Sequence, residues 1–82
     1  MYNIHVGTIA IYRNVRIVIH SRDHHPPHVH AIAPDAEAVF NLETMDVIRV
    51  DGFDSKSVRQ IKTFIESRKE EFLEALYEIH KD

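Results

Sequence analysis

Apolar and polar positions divide this chain into a front half with a period of two and a back half with a helical period. Tyr2 to Tyr12 is rich in β-branched and aromatic residues and predicts a strand, with Gly7 as a bulge or bend. Asn14 is a turn signal. From Val15 to His20 the residues alternate, with Val15, Ile17 and Ile19 on one face and Arg16, Val18 and His20 on the other. His28 to Ala33 resumes the alternation, and Pro34-Asp35 marks a tight turn. Two further strands are expected at Glu37 to Leu42 and Met45 to Val50, linked through Glu43-Thr44. Short links between short strands predict an antiparallel meander.

Asp51-Gly52 ends the sheet, and Asp54 or Ser55 can cap the helix that follows. Val58, Ile61, Ile65, Phe72, Leu76 and Ile79 fall near one helical face, interrupted by Arg68 and Lys69. One helix from Ser55 to His80 would be roughly 38 Å long, too long for a domain whose radius of gyration should be about 12 Å. Ser67 with Glu70 fits a capping box. Two helices, or one kinked near Ser67, are therefore expected. The predicted fold is a small α+β domain, residues 1–82. It has an antiparallel sheet of about four strands, with two C-terminal helices packed on one face. The helix stripe should rest on Ile17, Ile19, Val39 and Ile48.

Composition narrows the function classes. Eighty-two residues leave no room for a second core. A chain of this size buries only about 60% of its unfolded surface, so a partner chain would help its stability. Cysteine is absent, which removes disulfides, thiolate nucleophiles and sulfur-bound zinc. No leader-like or membrane-length apolar run is visible, so the expectation is a cytoplasmic protein without membrane partners. The net charge of −3 argues against non-specific nucleic-acid binding, but protonating all seven histidines would carry it to +4. Basic and histidine residues gather early in the chain (His5, Arg13, Arg16, His20, Arg22). Glu66, Glu70, Glu71, Glu74 and Glu78 make the end acidic. That acidic run is expected to be a solvated helix face.

Arg22 to His30 reads R-D-H-H-P-P-H-V-H and holds four of the seven histidines. Imidazole titrates near neutral pH and serves as metal ligand, acid or base. Pro26 and Pro27 fix two φ angles inside the block. Three readings compete. In the first, His28 and His30 share one sheet face, roughly 6.5–7 Å apart, and bind one ion with His24, His20 or Asp23. Zinc, nickel, copper or iron would suit such a site. In the second, no metal is required. His28 and His30 act as general acid and base, His24 assists, Asp23 orients an imidazole, and Arg22 or Arg16 clamps a phosphate. In the third the block is structural, with Asp23 setting a turn and the prolines shaping a loop.

The stretch Asp23-His24-His25-Pro26-Pro27-His28-Val29-His30 resembles the D-H-x-P-P-H-x-H hallmark of a prokaryotic domain-of-unknown-function family, number four-one-six-zero. His25 takes the variable position. The resemblance extends through Glu37 to Val50 and the helical region around Ile65 to Tyr77, where Phe64 and Tyr77 stand in for the family's tryptophans. It implies a place in a toxin–antitoxin-like gene pair, hence a toxin-like protein with an antitoxin partner, but no established chemistry; the clustered imidazoles add the expectation that RNA is the substrate. The alternative expectation is a non-enzymatic module that binds a metal or a partner through the histidine loop.

Overall fold

The structure is a computed structural model that describes residues 6–20 and 27–80, with side chains described for residues 9–19 and 27–75. Five strands form one antiparallel meander in chain order: β1 (Val6–Tyr12), β2 (Val15–His20), β3 (His28–Ala33), β4 (Ala36–Asn41) and β5 (Val47–Asp51). Two helices follow, α1 (Ser55–Ser67) and α2 (Lys69–His80). The α+β class is as expected, with five strands rather than about four. Val47 to Asp51 pairs along β4 and completes the sheet.

Alternation in β2 to β4 directs Val15, Ile17, Ile19, Val29, Ala31, Ala38 and Phe40 to the helix side. There they form one buried cluster with Leu42, Met45, Ile61, Ile65 and Phe72. Both helices contribute to it, and burial of apolar side chains at about 25 cal/mol per Å² drives the two layers together. Tyr12 from the end of β1 stacks on Phe64, ring centroids 4.8 Å apart.

Two members of the expected core lie elsewhere. Val39 is 5% exposed but belongs to the face opposite the helices, because Ala38 and Phe40 take the helix side of β4. Ile48 is 52% exposed; it is the extra residue of a bulge, Val39 pairing with Arg49 and Phe40 with Val47. The side chains of Leu76 and Ile79 lie outside those described. The bulge of β1 is also displaced from Gly7. Gly7 pairs regularly with Ile19, and the register shifts at Ile9. The extra residue there lets Ala10 and Tyr12 pack on the core while Thr8 pairs with Val18 of the opposite row.

The helix break falls where the stripe is interrupted. Arg68 leaves the helical region at φ −123, ψ 22, and its N–H donates to the Ile65 carbonyl. The capping box does not form, since the Ser67 hydroxyl donates instead to the Phe64 carbonyl at 2.7 Å. At the other end Asp54 caps α1 by accepting from the Ser57 N–H at 2.8 Å. That bond holds its carboxyl below the ordinary 3.8.

Gly52 joins β5 to this helix at φ +90. A Cβ there would lie 2.6 Å from the Asp35 carbonyl oxygen, so the bend requires glycine on both counts. No helix among the described residues is long and apolar enough to cross a membrane.

Candidate functional site

The face of the sheet away from the helices gathers the candidate side chains His28, His30 and Arg16. The β3–β4 hairpin closes at Pro34-Asp35 and pairs Ala33 with Ala36. That register sets Ile32 beside Glu37, His30 beside Val39 and His28 beside Asn41. On the other flank, Val18 of β2 pairs with His30 and Arg16 with Ile32. Period-two alternation therefore gathers Arg16, Val18, His28, His30, Ile32, Glu37, Val39 and Arg49 on one surface.

His28 and His30 come together as expected, their ring centroids 5.4 Å apart and the rings tilted by 55°. The side chain of His30 is only 17% exposed. It sits between Val18 and Val39, which are 1% and 5% exposed, so the imidazole has apolar neighbours on both sides. Its Nδ1 lies 3.2 Å from Oε2 of Glu37, one diagonal step along β4. Arg49 of β5 donates to the other oxygen, Oε1, at 2.9 Å. The His30–Glu37–Arg49 chain thus crosses three strands.

The hydrogen bond from His30, helped by the Arg49 charge and opposed by partial burial, holds the Glu37 carboxyl below the ordinary 4.5. An ionised carboxylate only accepts, so Nδ1 of His30 carries the proton that it shares with Glu37. In the neutral ring the lone pair then resides on Nε2. This is the tautomer that both a general base and a metal ligand require.

Hydrogen bonds of the backbone hold the His28 end of the site. The Leu42 N–H donates to the Pro27 carbonyl at 2.8 Å, tying the end of the histidine block to the turn after β4. Asn41 shapes that turn by accepting from the N–H groups of Glu43 and Thr44. Lys69 of α2 reaches the same turn and donates to the Glu43 carbonyl at 2.8 Å.

Arg16 is exposed at the opposite end of the face. It borders a cleft of about 410 Å³ with Asn14, Ile32, Ala33 and Pro34. Its strand position is one diagonal step from His30, about 7–8 Å away at the backbone. Arg22, Asp23, His24 and His25 lie outside the described residues, as does the side chain of His20, although His20 itself closes β2. Among the described residues, no three potential ligating side chains form a group.

Glu37 and Arg49 are the residues that sequence reading missed. A signal for Glu37 existed: a two-residue turn at Pro34-Asp35 sets Glu37 opposite Ile32, within diagonal reach of His30. Arg49 had no comparable signal, because the bulge at Ile48 shifts β5 by one residue.

Residues 14–76 match the family model described as a domain of unknown function (DUF4160), and the chain belongs to this family. The matched span runs from the β1–β2 turn into α2 and includes His28, His30, Glu37 and Arg49. No curated protein and no solved structure matches the chain.

Proposed function

We propose that this family member is the toxin-like component of a cytoplasmic toxin–antitoxin pair and cleaves RNA by histidine acid/base chemistry on the open sheet face. The observation that carries the reading is the adjacent His28–His30 pair, with Glu37 on Nδ1 of His30. Two imidazoles of which one is held in a defined tautomer meet the requirements for moving two protons in one reaction.

In this scheme Nε2 of His30 accepts the proton of a ribose 2′-hydroxyl. The freed oxygen attacks the adjacent phosphorus, and His28 protonates the departing 5′-oxygen. The products are a 2′,3′-cyclic phosphate and a 5′-hydroxyl. Glu37 supports the imidazolium formed on His30, and Arg16 neutralises the phosphate together with Arg22 of the histidine block. His24 is the auxiliary imidazole and Asp23 its orienter. The toxin role and the antitoxin partner follow from the resemblance of the histidine block to its family.

Wild-type protein expressed in cells should arrest growth and leave RNA fragments ending in cyclic phosphate. His28→Ala and His30→Ala should each lower cleavage by about 10²–10⁴-fold. Equal growth of all three strains with intact RNA would overturn the proposal.

One observation also favours a second reading, a non-enzymatic metal-binding module. A carboxylate on the far nitrogen of a histidine is the usual outer support of a metal ligand. His28 and His30 would supply two nitrogens, and His24 and His20 the others, to zinc, nickel, copper or iron. Stoichiometric metal in untagged protein, lost in His28→Ala, would favour this reading. An unchanged Tm on adding zinc or nickel would count against it.

A further inference from the structure

Of the four large apolar side chains that are exposed among the described residues, three belong to β5: Val47, Ile48 and Val50. This strand is the last in the sheet, and all five of its residues are exposed. Its outer side therefore presents a row of backbone N–H and C=O groups with no neighbouring strand among the described residues. Natural edge strands are commonly protected by lysine, proline or a covering element. Val47–Asp51 contains neither residue. Its one cation, Arg49, is drawn across the open face to Glu37.

Beside this edge, on the helix side, runs a groove of about 410 Å³ between β5 and α1. Val47, Val50, Phe53 and Val58 give it an apolar floor, and Arg59 and Lys62 of α1 supply positive charge. Neither cation forms an ion pair with a described residue.

We propose that β5 and this groove accept an extended segment of a partner protein that adds a sixth strand to the sheet, presenting apolar side chains and at least one carboxylate on its helix-facing side. Main-chain hydrogen bonds to β5 would supply the affinity common to any strand. Same-face side chains of an added strand repeat every 6.5–7 Å, so a valine on the apolar floor can be followed by a glutamate near Arg59 or Lys62. Charge separates this occupant from a second copy of the chain. Antiparallel pairing of two β5 edges about a dyad brings the two α1 helices together on the same side of the joined sheet. The Arg59 and Lys62 of each copy would then face their own duplicates, a like-charge arrangement that opposes association. This inference is independent of the chemistry assigned to the histidines.

The probe is a short threonine-rich peptide in which every second residue alternates valine and glutamate, with a control carrying lysine for glutamate. The acidic peptide should bind the full chain, measured by fluorescence anisotropy, and should shift the backbone amide resonances of Val47 to Asp51. Arg59→Glu and Lys62→Glu should each weaken binding about tenfold, a loss that added salt reproduces in the wild type. Ile48→Lys, with an unchanged Tm, should block binding by charging the edge. Should that variant fail to fold, the two helix variants still decide the matter, since they leave the sheet intact. The proposal is overturned if the two peptides bind equally or not at all, or if the amide shifts fall away from β5. It is also overturned by a concentration-dependent dimer that Ile48→Lys disperses, which would give the edge to a second copy.

Discussion

The two faces of the sheet bury their valines in different ways. On the helix side Ile17, Ile19, Val29, Phe40, Ile61, Ile65 and Phe72 exclude water by packing on one another. On the open side Val18 and Val39 are just as inaccessible, yet neither of the described helices lies on that face. Their register neighbours are polar: His30 lies between the two valines, and Arg49 flanks Val39 from β5. An antiparallel sheet with one solvated face ordinarily alternates apolar-in and polar-out. Here the outward row mixes both kinds, so the His30–Glu37 hydrogen bond forms over an apolar floor. Electrostatic interactions strengthen as water is excluded. The covered face thus accounts for stability, while the open face uses two valines to set the environment of an imidazole.

The sharpest way to test that contrast is to cut into each face in turn. Phe40→Ala, on the covered side, should lower unfolding free energy by about 3–5 kcal/mol in urea titrations, enough to threaten folding of so small a domain. Val39→Ala, the next residue but on the open side, should cost about 2 kcal/mol if the polar side chains shield it from water as closely as the solvent exposure indicates. A negligible cost would mean that the open face is wetter than its geometry implies.

Asp54→Ala belongs to the helix layer but touches neither face. Loss of its bond to the Ser57 N–H should lower the Tm by roughly a few degrees. It should also remove the stability that wild type loses on acidification below 3.8, because the capped carboxyl has a lowered pKa.

Glu37→Gln should have the smallest effect on stability near neutral pH, yet a distinct effect on its pH dependence. The folded-state pKa of Glu37 is lowered, so on acidification the unfolded chain binds the proton first. Its contribution is complete above the ordinary 4.5 and is lost as pH falls through the folded value. The variant should flatten that part of the stability curve, measured as Tm from pH 6 down to about pH 3. It should leave the acid limb due to Asp54 in place. An unaltered slope would remove Glu37 as the counter-charge of His30.

Much of this arrangement was legible in the residue order. Alternation in Val15 to His20 and in His28 to Ala33 assigned the faces of β2 and β3, and with them the convergence of His28 and His30. The excessive length of a single helix, with Arg68-Lys69 interrupting its apolar stripe, indicated a break near Ser67, although the capping box expected there does not form. The preference of helix N-termini for short acceptors narrowed the cap to Asp54 or Ser55, and the structure selects Asp54.

Other features escaped because they depend on which residue of one strand meets which of another. Bulges at Ile9 and Ile48 leave no clear mark on the apolar pattern, but each shifts every later residue of its strand by one. Val39 was misplaced because a valine in a strand declares that it will be buried, not which layer will bury it. Glu37 enters the sequence reading only as the first residue of a strand; the hairpin register is what brings it beside His30. Local periodicity is written in the chain, because each side chain's direction follows from its own backbone. Cross-strand partnership is not, because it is settled by turn geometry and by the packing of the whole sheet. The sequence by itself therefore determined two layers and a paired imidazole, whereas the tertiary structure alone decided that a carboxylate and a guanidinium would stand behind one of them.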